Sequence, residues 1–255
     1  MDKPIITLTT DFGNDAFAIA QIKAVIYGIS PQTNVIECAS NVASFNLIEG
    51  AFILSEISQY FSWAIHVGVV DPGVGSARKP LIIETKRGFF VGPDNGLLIP
   101  AAKKSDLIRV YEIDPGALGK VKISNTFHGR DVFSRVAALL SKGIPAKNLS
   151  KCEIKEWHDL EILPNQIVFI DPYGNIKINN SAEYRLGQKL KFRLSGKDNS
   201  DCWQGEAAFC RTFSDVGRGD YLFYLGSNWN LELAVNFGSA AQVLDAQVGD
   251  IIEIE

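Results

Sequence analysis

The apolar periodicity of this chain changes character once, and that change limits the folds open to it. Up to about residue 150, strand-like apolar runs at 5–10, 35–38, 64–70, 81–84 and 107–113 alternate with helical periods at 17–27, 47–60 and 132–141. Such alternation predicts an α/β layered domain, a sandwich of helices on a mostly parallel sheet. From about Ile167 the helical period is lost, and short runs follow at 167–170, 176–178, 189–194, 206–212, 221–225, 231–235 and 251–254. Short strands at this spacing predict a small antiparallel barrel or sandwich. The polar stretch 152–165, with Pro164 near its end, reads as the linker, so domains are expected at 1–162 and 163–255.

Local signals add detail. Asn46 is a candidate N-cap with Glu49 three residues on, close to a capping box, and Gly143 is a candidate C-cap. Lys86, Arg87 and Gly88 read as a hairpin turn between two strands. The 255 residues are 46% hydrophobic and 21% charged, which excludes disordered and fibrous classes. A net charge of -4 with interspersed signs leaves no basic stripe, which disfavours nucleic acid and leaves a cationic small molecule unopposed. No basic segment with an apolar stretch follows Met1, and no apolar run approaches the roughly 20 residues of a membrane span, so a cytoplasmic protein without membrane contact is expected. Cys38, Cys152, Cys202 and Cys210 form no C-x-x-C pair; buried reduced thiols are expected, with a Cys202–Cys210 disulfide as the alternative. No metal site is expected: His66 reads as a packed strand histidine and His158 as a solvated one.

Three apolar runs end in polar loops. Run 64–70 is followed by Asp71-Pro-Gly-Val-Gly-Ser-Ala-Arg78, run 5–10 by Asp11-Phe-Gly13, and Phe127-His-Gly-Arg-Asp131 precedes a helical pattern. In an open sheet with parallel strands, ligands bind beyond the carboxyl ends, where glycines let the backbone come close. The three loops are therefore expected to converge on one crevice. Gly73 and Gly75 do not make a phosphate loop, since no lysine follows them.

In sequential order, Thr-Thr-Asp11-Phe-Gly, Asp71-Pro-Gly-Val-Gly with Arg78, Gly-Pro-Asp94-Asn-Gly-Leu-Leu, Phe-His128-Gly-Arg-Asp, Asp171-Pro-Tyr-Gly-Asn175 and Gly-Ser227-Asn228 resemble the S-adenosylmethionine hydroxide adenosyltransferases, relatives of the adenosyl fluorinases and chlorinases. The resemblance spans nearly the whole chain. It implies an N-terminal α/β domain, a C-terminal β-barrel and a homotrimer with active sites at the subunit interfaces. It also implies attack of water on the 5′ carbon of S-adenosylmethionine, giving adenosine and L-methionine without a cofactor.

By the same resemblance Asp71, Arg78 and His128 are the catalytic group, and Asp11 holds the ribose hydroxyls. Phe45 matches an aromatic that covers the sugar, or else is the apolar residue of a hydrophobic staple. Asn175 matches an adenine-reading amide, with Tyr173, Phe213 and Phe237 as walls and the backbone amides of Asn236 and Phe237 on the adenine edge. Asp171, Ser227 and Asn228 match positions that hold the methionine ammonium and carboxylate. Arg130 and Asp131 are read structurally, as an ion pair and a helix N-cap. Where the family places an acidic residue five positions after Asp11, this chain has Ala16, with Asp15 one place earlier. Asp15 either compensates or caps the next helix. Two further readings stay open: a non-enzymatic sensor that binds S-adenosylmethionine or adenosine, and an adenosyl halogenase, against which Asp71 argues because it would repel an incoming anion.

Overall fold

In the computed structural model, residues 3–13, 16–195 and 202–255 are described. The chain forms two compact units, Met1–Leu160 and Glu161–Glu255. Asp15 lies outside the described residues.

The first unit contains β1 (Ile5–Thr10), α1 (Ala16–Ile29), β2 (Asn34–Ala39), α2 (Leu47–Ser58), β3 (Ala64–Val69), β4 (Pro80–Thr85), β5 (Gly88–Pro93), α3 (Ile99–Lys104), β6 (Leu107–Ile113), α4 (Ser134–Ser141) and β7 (Ser150–Ile154). Its sheet runs β2-β1-β3-β5-β4-β6-β7. The pairs among β2, β1, β3 and β5 are parallel, and β4, β6 and β7 continue the sheet antiparallel. All six residues of β3 are buried, as expected for a strand covered on both faces. Apolar clusters pack on either side, one around Ile22, Val67 and Phe133 and another around Leu54, Phe90 and Leu97.

Several sequence expectations need correction here. The expected linker 152–165 begins as the edge strand β7, whose exposed residues show no apolar alternation; backbone pairing to β6 builds it. Helix α3 is six residues long with a proline at its start, too short to show a period. Helix α4 is preceded by a π-helical turn, Gly129–Phe133, so the helical region starts before residue 132. Asp131 lies inside that turn and caps nothing. Asn46 does cap α2, accepting from the Glu49 amide at 3.1 Å, but the Glu49 carboxylate reaches Ala43 instead of closing the box. Gly143 closes α4 in a Schellman arrangement, with its amide on Leu140 and that of Ile144 on Leu139.

The second unit contains β8 (Ile167–Ile170), β9 (Ile176–Ile178), β10 (Lys189–Ser195), β11 (Cys202–Phe209), β12 (Tyr221–Leu225), β13 (Leu231–Val235), α5 (Ala240–Leu244) and β14 (Ile251–Ile254). The strand order is β14-β10-β11-β12-β13-β9-β8, and a bridge between Gln166 and Ile251 draws the two edges together into a nearly closed barrel. Its interior is filled by Ile176, Phe192, Phe223, Leu233 and their neighbours. One pair, β11 with β12, is parallel, a departure from the all-antiparallel expectation. The five-residue α5 carries no readable period, and β11 begins at Cys202 rather than 206.

That strand rules out the Cys202–Cys210 bridge. Eight residues of extended chain place the two backbones roughly 25 Å apart, far beyond the ~6 Å a disulfide spans. Cys38, Cys152 and Cys210 are free, and Cys152 is exposed, contrary to expectation. Burial pushes the Cys38 thiol up to about 11. Among the described residues no helix is long and apolar enough to cross a membrane.

His66 is packed in β3 as expected, with Nδ1 2.8 Å from Thr7 Oγ1 and its ring stacked on Phe90 at 4.8 Å. Burial pushes its pKa down to about 4. Between an unfolded value near 6.5 and that folded value, only the unfolded chain binds the proton, so stability falls as pH drops through this window. The expected loss from His66 is about 3 kcal/mol. Urea unfolding at pH 7 and pH 4 checks it: His66→Asn should lose correspondingly less than the wild type on acidification, and equal losses would remove His66 from the acid response.

Candidate active site

Asp11 and Asp71 follow the carboxyl ends of β1 and β3, which run parallel with Thr10 opposite Val69. The two loops therefore leave the sheet side by side, and the Asp11 amide lies 3.4 Å from the Val69 carbonyl. The third loop arrives through the π-turn. Its first residue, Gly129, lies beside Val69 and Phe12, where a Cβ would be in ordinary contact with both at 3.4 and 3.5 Å. The three loops converge as the sequence predicted.

Arg78 ties the second loop to the third. Its Nε donates to Asp71 Oδ1 at 2.9 Å and Oδ2 at 3.1 Å, and its Nη2 donates to Asp71 Oδ2. The same Nη2 lies 2.9 Å from His128 Nδ1. The guanidinium carbon stands 5.3 Å from the centre of the Phe133 ring. Only 8% of the Arg78 side chain and 6% of the Asp71 side chain are exposed, so this is not a solvated surface pair. Gly75 makes the approach possible: it has φ +79, and a Cβ on it would meet the Asn125 carbonyl oxygen at 2.6 Å.

The arginine also settles the state of the histidine. A guanidinium only donates, so Nδ1 of His128 accepts, and the neutral ring carries its proton on Nε2. Burial, and next the positive charge of Arg78, lower the His128 pKa from its ordinary 6.5, against the opposing pull of Asp71 and Asp131. His128 is thus a neutral N–H donor at neutral pH.

Asp11, Asp71 and His128 line a cleft of about 250 Å³ whose apolar walls include Phe12, Phe45, Val74 and Phe127. One oxygen of Asp11 accepts from the Phe45 amide at 3.0 Å, and the other accepts no hydrogen bond among the described residues. Phe45 has φ 65 and is 68% exposed. The staple alternative fails, because the residue four positions into α2 is Gly50, which has no side chain to meet it.

Sequence reasoning missed the supports. Asn95 donates to the Val70 carbonyl at 2.8 Å, fastening the chain just before Asp71. Phe133 lies against Arg78, and Phe127 and Val74 complete the cleft. The Gly-Pro-Asp94-Asn segment signalled a feature without indicating this contact; Asp94 itself holds the His158 amide at 2.8 Å. Arg130 and Asp131 do form an ion pair, Nε to Oδ1 at 2.7 Å, and Asp131 also accepts from the Ser124 amide. Among the described residues no three His, Cys, Asp or Glu side chains come together as a metal site.

In the barrel unit, Asp171 organises the turn before β9. Its Oδ1 accepts from the amides of Tyr173 and Asn175 at 2.9 and 3.0 Å, and its Oδ2 accepts from Asn175 Nδ2 at 2.8 Å. Asn175 is buried, whereas Tyr173 and Phe237 are each 79% exposed. Phe237 has φ 58 and lies under the Arg218 guanidinium at 4.6 Å. Phe213 packs on Tyr224 with ring centres 5.0 Å apart. Ser227 and Asn228 occupy the turn between β12 and β13. One expectation is corrected: the Asn236 amide already donates to Asp220 at 3.0 Å and cannot read a ligand edge, whereas the Phe237 amide has no partner among the described residues.

The His128 assignment is testable by NMR. Its ring should titrate below 6.5, and Arg78→Met, which removes a cation, should move the midpoint up; an unshifted midpoint would contradict the contact.

Comparison with known proteins places this geometry. The chain is 31% identical to an "(R)-S-adenosyl-L-methionine hydrolase" of Methanocaldococcus jannaschii over 98% of this chain and 95% of that protein. It is 22% identical to a fluorinase of Actinopolyspora mzabensis over 99% and 97% of the respective chains. The crystal structure of an uncharacterized conserved protein from Thermotoga maritima superposes with a TM-score of 0.89 at 32% identity, covering 98% of this chain and all of that one. Residues 6–150 match the model of the S-adenosylmethionine hydroxide adenosyltransferase N-terminal domain and residues 165–253 that of its C-terminal domain, and the chain belongs to that family.

Proposed function

We propose that this protein hydrolyses S-adenosyl-L-methionine, in the (R) form named in its relative, by attack of water on the 5′ carbon, releasing adenosine and L-methionine. The observation that carries the reading is the buried Asp71–Arg78–His128 cluster at the cleft that Asp11 and Phe45 also line.

The chemistry asks little of a leaving-group acid, because a sulfonium departs as a neutral thioether. The difficulty lies in the nucleophile. Free water has a pKa of about 15.7, but as its oxygen bonds to carbon its protons become strongly acidic, and a nearby carboxylate is then a competent acceptor. Asp71 takes that proton, while Arg78 fixes the carboxylate and the His128 Nε2–H orients the water oxygen. The C5′–S electron pair leaves with methionine, and the proton passes from Asp71 to solvent. Asp11 uses its free oxygen on the ribose hydroxyls, and Phe45 covers the sugar and excludes solvent.

A cleft of about 250 Å³ falls below the roughly 300–1,000 Å³ of sites for ligands of this size. The reading therefore places the adenine and methionine ends on a barrel unit supplied by a neighbouring subunit of a homotrimer. There Asn175 and the Phe237 amide meet adenine between Tyr173, Phe213 and Phe237, and Asp171, Ser227 and Asn228 hold the amino-acid end. The enzyme acts in the cytoplasm without metal or cofactor.

The test is a product assay in H₂¹⁸O, with and without fluoride or chloride. Expected products are equimolar methionine and adenosine labelled at the 5′ oxygen, unaffected by chelator. A 5′-haloadenosine would indicate halogenase chemistry, and tight binding without product would leave only the sensor. Asp71→Asn should lower turnover by about 100-fold or more with substrate binding retained. Wild-type activity should show an acid limb below pH 6.5, where His128 gains a proton and loses its bond to Arg78.

A further inference from the structure

One buried carboxylate of the first unit has no part in the reaction described above. Asp94 follows the end of β5 and is 4% exposed. It accepts from the His158 amide at 2.8 Å, and the exposed His158 ring places Nδ1 3.4 Å from its other oxygen. A carboxylate taken out of water needs such partners.

Its place in the sheet indicates a use. The order β3-β5-β4 sets β5 between the strand that leads to Asp71 and the strand that follows Arg78, so the loop 71–79 spans the end of β5. The turn that leaves β5 lies under that span and grips both of its ends. Asn95 Nδ2 donates to the Val70 carbonyl at 2.8 Å, directly before Asp71. The Asp94 amide donates to the Lys79 carbonyl at 2.8 Å, directly after Arg78. Pro80 and Pro93 face each other at the end of the β4–β5 ladder and neither has an N–H to give, so the Asp94 amide carries the pairing on to the loop.

The turn is itself backed. Asn95 Oδ1 accepts from the Leu97 amide at 3.2 Å, and a Cβ on Gly96 would come within 2.9 Å of Leu160 Cβ, so the segment bonded to the Asp94 carboxylate lies directly against the turn. Trp157 and Leu160 anchor that segment on the apolar cluster around Leu54 and Leu97.

We propose that Asp94 and Asn95 are positioning residues for the displacement at the 5′ carbon: together they fix the two ends of the loop 71–79, and with them the placement of Asp71 against Arg78. Neither lines the cleft; Asn95 acts through the Val70 carbonyl, and the Asp94 side chain acts by holding the turn. The inference rests on the hydrolase reading for the reaction it serves.

Variants matched in charge test it. Asp94→Asn and Asp94→Ala both remove the anion, but only asparagine keeps an oxygen for the His158 amide; Asn95→Ala removes the donor to Val70 with no change of charge. Each is measured for kcat and KM on S-adenosylmethionine, and for the His128 ring titration by NMR, which senses both Arg78 and Asp71. Asp94→Ala and Asn95→Ala should lose about tenfold or more in kcat with KM little changed, since misplacement by about 1 Å costs up to about 100-fold. Asp94→Asn should keep most of kcat. The His128 midpoint of Asp94→Ala should differ from that of Asp94→Asn, and that of Asn95→Ala from wild type. Equal kcat in the two Asp94 variants, a rise in KM alone, or lower urea stability with kcat and midpoint unmoved would make the turn merely structural and overturn the proposal. Should Asp94→Ala not fold, Asn95→Ala, at a half-buried position, decides alone. If the midpoints move as expected but wild-type protein forms no product, hydrolysis fails and the grip on the loop stands.

Discussion

One guanidinium sets the terms for the rest of this active centre. Arg78 donates to both oxygens of Asp71 and to Nδ1 of His128, and because it cannot accept or release a proton it dictates what each partner must be. Asp71 has to be the anion, and His128 has to be neutral with its lone pair turned inward. Supports outside the triad serve this geometry. Asn95 pins the carbonyl preceding Asp71, Gly75 allows the loop to lie against Asn125, and the π-turn swings His128 toward the arginine. A Cβ at residue 75 or an ordinary α-turn at 129–133 would alter the relative position of two charged or polar groups that tolerate little displacement.

The sheet makes the convergence inexpensive in chain length. Parallel neighbours deliver their carboxyl ends to the same edge, so Asp11 and Asp71, sixty positions apart, emerge adjacent because Thr10 faces Val69. The functional loops can then be short and rich in glycine, since the strands have already done the positioning. The barrel works differently. Its exposed aromatics, Tyr173, Trp229 and Phe237 among the described residues, lie on turns, and Asp171 holds its turn through the amides of Tyr173 and Asn175.

What was legible in the sequence follows from this difference. Strands β1 and β3 are six-residue runs of strand-forming, largely apolar residues followed closely by aspartate, so both the elements and the strand-end carboxylates could be read directly. The grouping of Arg78 with His128 came from motif resemblance, because nothing local links residues fifty positions apart. The edge strand β7 and the short helices α3 and α5 were invisible: each is held by partners distant in sequence or is too short to have a period. Barrel closure was equally hidden, since it depends on backbone bridging between Gln166 and Ile251. Asn95 escaped for the same reason, as its meaning resides in the order of the strands rather than in neighbouring residues.

The charge balance of the cleft bears on which nucleophile it admits. Asp71 and Arg78 neutralise one another and His128 is uncharged, which leaves Asp11 as the net charge among the groups described there. A negative cleft attracts a sulfonium ligand and opposes entry of a halide, whose dehydration must be offset by donors or positive charge. Water meets no such barrier and, on the proposed reaction, finds in Asp71 an acceptor for the proton it must lose. On the proposed reaction, the sulfonium charge disappears at the moment a proton is released; Asp11 supplies the uncompensated charge that disfavours a competing anion, while Asp71 takes the proton that completes the displacement by water. Selectivity for the nucleophile and its activation then fall to two carboxylates, Asp11 left uncompensated in the cleft and Asp71 held in place by Arg78.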